Sequence, residues 1–435
     1  MKMKRLILIA FVCSLSMLAL AKGDGESRTT TVNVSISSSD RINIQAKYTE
    51  LTVETWNKNE IEIEATVRYD GKMTDKIQEF LDQFETLVND NISKGTAGLS
   101  INSDLDFPNR GVKKSFFGLV MEINLGDFDE AKLEYKIKAP GTNSYTINNS
   151  YEDVRLIGSF KDIDFTQYSG DLEAETIQNA KMNLKYGSAS IRTIGVAEMQ
   201  IYEQELDINE IDELTINTKY SDHEFNSVGA MKAESYESDF QIRVIDELKG
   251  DFKYGEITIE EKLGTAEMTL YEVDIEAKEI ASIRLKNSKY SKFDMGRVQS
   301  IVFEQSYEDE TEAMSVGLFK SLNSKYGNHA FDELTQSLEL NAYEDEVKID
   351  RVDPSATKIS VDGKYIDLFI GVSDIPFFLK TDVKYGKVEY DEDSIDIKRY
   401  IKDGDQLEIE AQSKKTSKSP LQISVKGYEV DVVID

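Results

Sequence analysis

The sequence KYGSASI at residues 185–191 returns as KYSDHEF at 219–225, KYGEITI at 253–259, KYSKFDM at 289–295 and KYGNHAF at 325–331. The spacings are 34, 34, 36 and 36 residues. Between these copies lies a second kind of unit, marked by Tyr-Glu at 202–203, 236–237, 271–272, 307–308 and 343–344. Such steady internal repetition is typical of a repeat protein in which each unit covers the open face of its neighbour.

Fourteen of the 21 tyrosines form one series from Tyr151 to Tyr385, at gaps of 16 to 22 residues. Inside each unit apolar residues alternate with polar ones, as at Ile257 and Ile259, which predicts short strands with one buried face. The Asn-Gly and Asp-Gly pairs typical of tight hairpins are missing from the regular part. The sequence therefore predicts an all-β fold, a right-handed parallel β-helix or solenoid with coils of about 17–18 residues. The alternative is an antiparallel β-sandwich.

The tyrosines of the regular units are the candidate site, either as a binding surface or as a structural ladder. They are Tyr186, Tyr202, Tyr220, Tyr236, Tyr254, Tyr271, Tyr290, Tyr307, Tyr326 and Tyr343. If the tyrosines of successive coils align, the Lys before one tyrosine lies diagonally near the Glu after the next. We therefore interpret the alternation as a way of placing opposite charges side by side along the stack.

The chain divides into four predicted parts. Residues 1–21 have the basic start, apolar run and Ala-x-Ala end of a secretory signal peptide. Residues 22–140 predict N-terminal strands with one amphipathic capping helix at about 74–92, where Ile77, Phe80, Leu81, Phe84, Leu87 and Val88 form an apolar stripe. Residues 141–350 are the regular solenoid, and 351–435 are less regular C-terminal coils and a cap.

Composition limits the partners. The net charge is −30, which makes nucleic acid and anionic lipid poor partners. We expect no membrane insertion, because the most apolar segment after the predicted signal peptide, residues 115–121, is too short to span a bilayer. The single cysteine, Cys13, lies in the predicted signal peptide, so the exported chain would have no disulfide. Oligomeric state is left open.

Catalytic signatures are missing from the sequence. It has no nucleotide-binding loop, serine-hydrolase elbow or cysteine metal cluster. The two histidines, His223 and His329, each stand three residues after a tyrosine of the series, and we interpret them as half-buried structural rings. We expect no catalytic residues and no cofactor, although an acidic cluster could bind calcium weakly.

Three stretches resemble the bacterial "putative adhesin" family of unknown function and the related head GIN domains. They are Lys138-Ala139-Pro140, Tyr168-Ser169-Gly170-Asp171-Leu172-Glu173 and Tyr186-Gly187-Ser188-Ala189-Ser190-Ile191. The resemblance implies initial strands, a proline-marked junction and coils of right-handed β-helix, over roughly Arg41 to Leu263. It implies no catalytic residue.

These observations together predict an exported, non-catalytic module of the bacterial cell envelope, periplasmic or extracellular. Such a module would be adhesin-like, or would bind a protein or glycan partner. Two alternatives remain at this point, a passive structural envelope protein and a polysaccharide lyase or hydrolase built on a β-helix. Exposure of the tyrosine rings separates the binding function from the passive one.

Overall fold

The structure is a computed structural model that describes residues 25–105, 131–372, 375–415 and 420–435. The described residues form an all-β protein with one α-helix. They fall into two compact units, divided between Ile208 and Asn209. The predicted signal peptide and Cys13 lie outside the described residues, and the predicted boundaries of the four parts stay predictions.

The first unit contains the helix and the strands up to most of β9. In chain order the elements are β1 (Glu26–Ser35), β2 (Arg41–Lys47), β3 (Glu50–Trp56), β4 (Glu60–Tyr69), α1 (Asp75–Asp90), β5 (Ile92–Lys94), β6 (Gly98–Asn102), β7 (Ala131–Pro140), β8 (Ser144–Ser150) and β9 (Val154–Lys219).

Stacked coils in this unit pair in parallel. Strand β2 lies between β6 and β8, and β3 lies between β7 and the start of β9, all with parallel register. Strand β8 then pairs in parallel with β9, where Ser144 faces Asp162, its counterpart one coil later. Antiparallel pairs join β1 to β4 and β4 to β7. One face of each strand is buried, as the alternation of buried and exposed residues in β2 and β3 shows.

Helix α1 lies against β1 and β5, within the range that the sequence predicted. Thr74 caps its start, with the side-chain oxygen accepting a hydrogen bond from the backbone N–H of Ile77. The stripe predicted from spacing is the face that the fold buries, except that Leu87 is only half-buried. Asn91 caps the end of the helix, one residue before the end that the sequence predicts.

The second unit begins within β9 and contains thirteen further described strands. They are β10 (Asp222–Tyr236), β11 (Asp239–Lys289), β12 (Lys292–Phe303), β13 (Ser306–Tyr307), β14 (Glu310–Lys325), β15 (Asn328–Tyr343), β16 (Glu346–Val352), β17 (Lys358–Ile370), β18 (Phe377–Lys384), β19 (Val388–Tyr390), β20 (Ile395–Asp403), β21 (Gln406–Ser413) and β22 (Leu421–Ile434).

Parallel pairing between successive coils orders this unit as well. Asp222 faces Asp239, and Asn328 faces Glu346, so a residue of one coil lies beside its counterpart in the next. This is the pairing that the stacked coils of a β-solenoid require. Buried phenylalanines line the interior, and the rings of Phe303, Phe319 and Phe331 follow one another at centroid distances of 5.8 and 5.0 Å.

The C-terminal strand breaks the order of the chain. Strand β22 pairs in parallel with β17 on one side and with β18 on the other, so the last strand lies between two earlier ones. Strands β18, β21 and β20 continue from there as antiparallel neighbours. This insertion is the physical reason for the loss of strict period after residue 350.

Candidate functional site

The predicted tyrosines line up as rows of touching rings, which we call the tyrosine ladder. In the first unit the row runs through Tyr48, Tyr151, Tyr168, Tyr186 and Tyr202, with neighbouring centroids 4.9 to 5.6 Å apart. In the second unit eleven rings follow one another at 5.2 to 5.8 Å, in the order Tyr220, Tyr236, Tyr254, Tyr271, Tyr290, Tyr307, Tyr326, Tyr343, Tyr365, Tyr428 and Tyr385.

Each ring sits at a corner where the backbone turns through the left-handed region. Within the described part of the chain, every non-glycine residue with positive φ is either a ladder tyrosine or the residue directly after one, and the φ values run from 47° to 71°. Only glycine adopts this conformation without strain, so the corners hold non-glycine residues at a cost that the surrounding ladder must offset. Such strain persists only where the surrounding structure holds the backbone in place, so the neighbouring coils must fix the conformation of each corner.

Two kinds of corner alternate. In one, as at Tyr290 and Tyr326, the tyrosine itself is left-handed. In the other, as at Tyr307, the tyrosine is extended and the following Glu308 is left-handed. Lys289 pairs with Tyr307, and Tyr307 pairs with Lys325. The residues that follow them, which are the left-handed ones, therefore occupy equivalent positions in successive coils.

The sequence-based alignment is therefore wrong by one position. The charge-pairing hypothesis assumes tyrosine beside tyrosine, whereas in the second unit the strands pair the lysine of a Lys-Tyr corner with the tyrosine of a Tyr-Glu corner. Local sequence cannot reveal this, because the register depends on which residue turns left-handed in each coil.

The alternation of corners controls how the rings meet. Where the two corners differ, the rings stand edge to face, with interplanar angles of 64° to 84°. Tyr48 and Tyr151 are both left-handed, and their rings stack at 11°. Edge-to-face and offset stacked pairs are the two favourable arrangements of aromatic rings. The alternation of the two kinds of unit therefore determines whether neighbouring rings meet edge to face or stack.

The structure does not support the proposed charge pairing at the corners. Across the described residues, the lysines before the left-handed tyrosines form no ion pair within 4.0 Å with the corner glutamates. The carboxylates turn to the phenols instead. Hydrogen bonds with Glu237, Glu272, Glu308 and Glu344 raise the pKa of Tyr236, Tyr271, Tyr307 and Tyr343 respectively.

The ladder faces solvent. The left-handed tyrosines of the second unit are the more open ones, with Tyr220, Tyr290, Tyr326, Tyr365 and Tyr385 between 39% and 48% exposed. The extended tyrosines and Tyr254 are half-buried by their neighbours. All ten predicted tyrosines lie in the ladder, and none is part of the core.

Sequence reasoning missed two rungs. Tyr48 precedes the long insertion that holds helix α1, and Tyr428 lies on β22, between the rungs Tyr365 and Tyr385 that the sequence series makes neighbours. A local signal was present, since Lys47-Tyr48 and Tyr428-Glu429 repeat the two corner dipeptides.

Buried polar groups lie beneath the corners of the second unit. His329 is fully buried, with Nδ1 3.1 Å from the Thr311 hydroxyl and Nε2 3.7 Å from a carboxylate oxygen of buried Asp345. The other carboxylate oxygen of Asp345 accepts a hydrogen bond from the backbone N–H of Gly327.

Asp309 occupies the equivalent place one pair of coils earlier. Burial raises the pKa of Asp309, and hydrogen bonds from the Ser306 hydroxyl and the Ser291 N–H oppose that rise. Buried aspartates thus hold the backbone of the neighbouring coil in place.

His223 is buried as well, between Phe225 and Phe240. Its Nε2 lies 2.8 Å from the Thr218 hydroxyl. Burial lowers the pKa of His223 to about 3, so the ring is neutral at physiological pH. Both histidines are more deeply buried than the sequence predicts, because the strand that bears each one is covered by the next coil.

The acidic side chains do not gather into a metal centre in the described part of the chain. Within residues 25–105, 131–372, 375–415 and 420–435, no three His, Cys, Asp or Glu side chains are grouped to hold a metal ion. Weak calcium binding stays a prediction. The helix among these residues is too short and too polar to cross a membrane.

Comparison with known proteins gives a structural likeness but no family. No family model matches the chain, and no curated protein matches it. A crystal structure of a putative cell adhesion protein from Clostridium sporogenes aligns with 94% of this chain and 98% of its own, at 8% identity and a TM-score of 0.16.

Proposed function

We propose that this chain is an exported, non-catalytic β-solenoid of the bacterial cell envelope that binds a protein or glycan partner through its tyrosine ladder, in the manner of an adhesin. The coils are right-handed in this proposal. The parallel pairing of each coil with the next supports the stacked coils. The signal-peptide pattern in residues 1–21 supports export to the periplasm or cell exterior.

The observation that carries the proposal is the exposure of an ordered aromatic row. Tyrosine is a frequent anchor at binding interfaces because it offers a large apolar face and a polar tip. Each ring in the ladder is already held by its neighbours, so binding a partner costs little side-chain conformational entropy. A stacked row used only for packing would be covered, whereas Tyr290 and Tyr326 are 42% and 41% exposed.

The net charge of the chain limits which classes of partner the ladder can bind. A net charge of −30 repels nucleic acid and anionic lipid surfaces. Neutral sugars stack on aromatic faces, and protein surfaces that are neutral or basic meet no such repulsion.

The location is tested on intact cells. Proteases added outside the cells should release peptides of the tyrosine ladder, which mass spectrometry identifies. Release only after the outer membrane is opened would exclude surface adhesion and place the partner in the periplasm.

Binding is tested with ladder variants of the full chain. Tyr290→Asn and Tyr326→Asn remove two exposed rings while asparagine tolerates the left-handed backbone. The matched control is Tyr400→Asn, which removes a 53% exposed tyrosine outside the ladder. Loss of binding to glycan arrays or envelope proteins in the first two variants alone is the expected result. Equal binding by all three would show that the partner does not use the tyrosine ladder, and a wild-type chain that binds nothing would favour a passive structural role. Turnover of uronic-acid polymers would contradict the non-catalytic proposal.

A further inference from the structure

The tyrosine ladder of the second unit has the arrangement of a cross-linking site. Eleven phenol rings are held in unbroken contact, each with an edge of one ring against the face of the next. Phenols are readily oxidised by one electron, and two neighbouring phenoxyl radicals combine through ring carbons. Rings that already touch need no diffusional encounter, which makes their coupling effectively unimolecular.

The hydroxyl groups have proton acceptors beside them. Loss of an electron from a phenol is accompanied by loss of its proton. Hydrogen bonding with the carboxylate of Glu308 raises the pKa of Tyr307, and hydrogen bonding with the carboxylate of Glu344 raises the pKa of Tyr343. Hydrogen bonding with the carboxylate of Asp405, which is not adjacent in sequence, raises the pKa of Tyr385. Every second rung from Tyr236 to Tyr343 therefore has its own base.

We propose that the tyrosine ladder is a site of oxidative cross-linking, at which a one-electron oxidant of the haem-peroxidase class, using hydrogen peroxide, joins neighbouring rungs by carbon–carbon bonds. This modification is independent of the partner binding proposed above. It would replace the disulfides that an exported chain without cysteine lacks.

Each cross-link consumes one molecule of hydrogen peroxide. Two tyrosines each give one electron to the peroxidase and one phenolic proton to the adjacent carboxylate or to water. Hydrogen peroxide takes up the two electrons and two protons and leaves as two water molecules. The two radicals bond through the carbons ortho to their hydroxyls. Each ring then moves the hydrogen of its new bond site to oxygen, which restores the phenol, so each link removes two hydrogen atoms from the protein.

The bonds would staple successive coils. A link between Tyr290 and Tyr307 closes a loop of one coil, and links of Tyr428 to Tyr365 and Tyr385 fasten the inserted strand β22 on both sides. Such closures stabilise mainly by restricting the unfolded chain. Thermal unfolding of the linked protein should move to higher temperature.

The test treats the purified full-length exported chain with a haem peroxidase and hydrogen peroxide. Dityrosine fluorescence and mass spectrometry of proteolytic peptides identify the links. The expected result is links between consecutive rungs within one molecule, each with a loss of two hydrogen atoms. Links confined to separate molecules, or joining Tyr400 as often as the ladder rungs, would overturn the proposal.

Matched variants separate the ladder from general oxidation. Tyr307→Phe keeps the ring contact but removes the phenol, so it should abolish the links of this rung to Tyr290 and Tyr326 and leave the others. Tyr400→Phe should leave all ladder links unchanged. Glu308→Gln removes the base and should slow coupling at Tyr307 severalfold while the fold is retained. Unchanged coupling in both Tyr307→Phe and Glu308→Gln would show that the ladder is not the reacting site.

Discussion

Neutral, buried His223 should make the second unit sensitive to acid. The ring lies between Phe225 and Phe240, and among the described residues its hydrogen-bond partner is the hydroxyl of buried Thr218. Burial lowers its pKa to about 3 from an ordinary value of 6.5. The unfolded chain therefore takes up a proton below pH 6.5 that the folded chain refuses until about pH 3, so acidification favours unfolding.

The size of the effect follows from the pKa difference. Each pKa unit corresponds to about 1.4 kcal/mol, so the free energy of unfolding falls by about 5 kcal/mol in total as the pH drops from 6.5 to 3. At pH 4.5 about 3 kcal/mol should already be lost. Above pH 6.5 His223 is neutral in both the folded and the unfolded chain, so it adds no pH dependence to the free energy of unfolding.

The variant His223→Gln isolates the contribution, because glutamine can still bond the Thr218 hydroxyl but does not titrate. Urea unfolding at pH 7.5 and pH 4.5 gives the pH dependence of the free energy of unfolding for both proteins. The many carboxylates titrate alike in the two, so the difference belongs to His223. Hydrogen exchange in peptides covering residues 218–242 reports the same region alone. If wild type and variant lost equal stability between the two pH values, the buried, neutral histidine would be refuted.

Three further outcomes test the corners and the packing beneath them. The double change Lys289→Tyr with Tyr290→Glu converts this corner into the Tyr-Glu kind, so that it matches the corners on both sides. A crystal structure should then show the new ring stacked on both neighbouring rings, at interplanar angles near the 11° of Tyr48 and Tyr151 and not the present 79° and 76°. Edge-to-face contact in this variant would show that the kind of corner does not determine how the rings meet. Glu308→Val puts a β-branched residue at φ 52° and should destabilise by about 1–3 kcal/mol in thermal unfolding, whereas Glu308→Asn should not. Gly327→Ala places a methyl group 2.8 Å from His329 Nε2 and should lower stability by about 1–3 kcal/mol, and a neutral effect would show that this buried cluster has room to relax.

Much of the fold could be predicted because its signals are local and repeated. Alternating apolar residues marked the strands, and the 16–19-residue spacing of the regular tyrosines marked the coils. The apolar stripe from Ile77 to Val88 marked helix α1 correctly, because a helix buries the face that its own period defines.

The sequence series contains fourteen of the sixteen rungs of the two rows described above. Spacing identified the ten tyrosines of the regular units, but not the first-unit rung Tyr48 or the inserted rung Tyr428, which lie far from the series in sequence. Their dipeptides, Lys47-Tyr48 and Tyr428-Glu429, are local signals, but their order in the row depends on pairings between distant strands, which no local pattern encodes.

The sequence by itself determined the repeat, the strands, the helix and the membership of most of the tyrosine ladder. The tertiary structure decided which corner residue is left-handed, which side chains face each other and how the rings meet. A positive φ at Tyr290 or Glu308 is unfavourable in isolation and persists only because the coils on both sides fix the register. The depth of His223 and His329 was decided in the same way, since burial belongs to the covering coil and not to the strand that carries the ring.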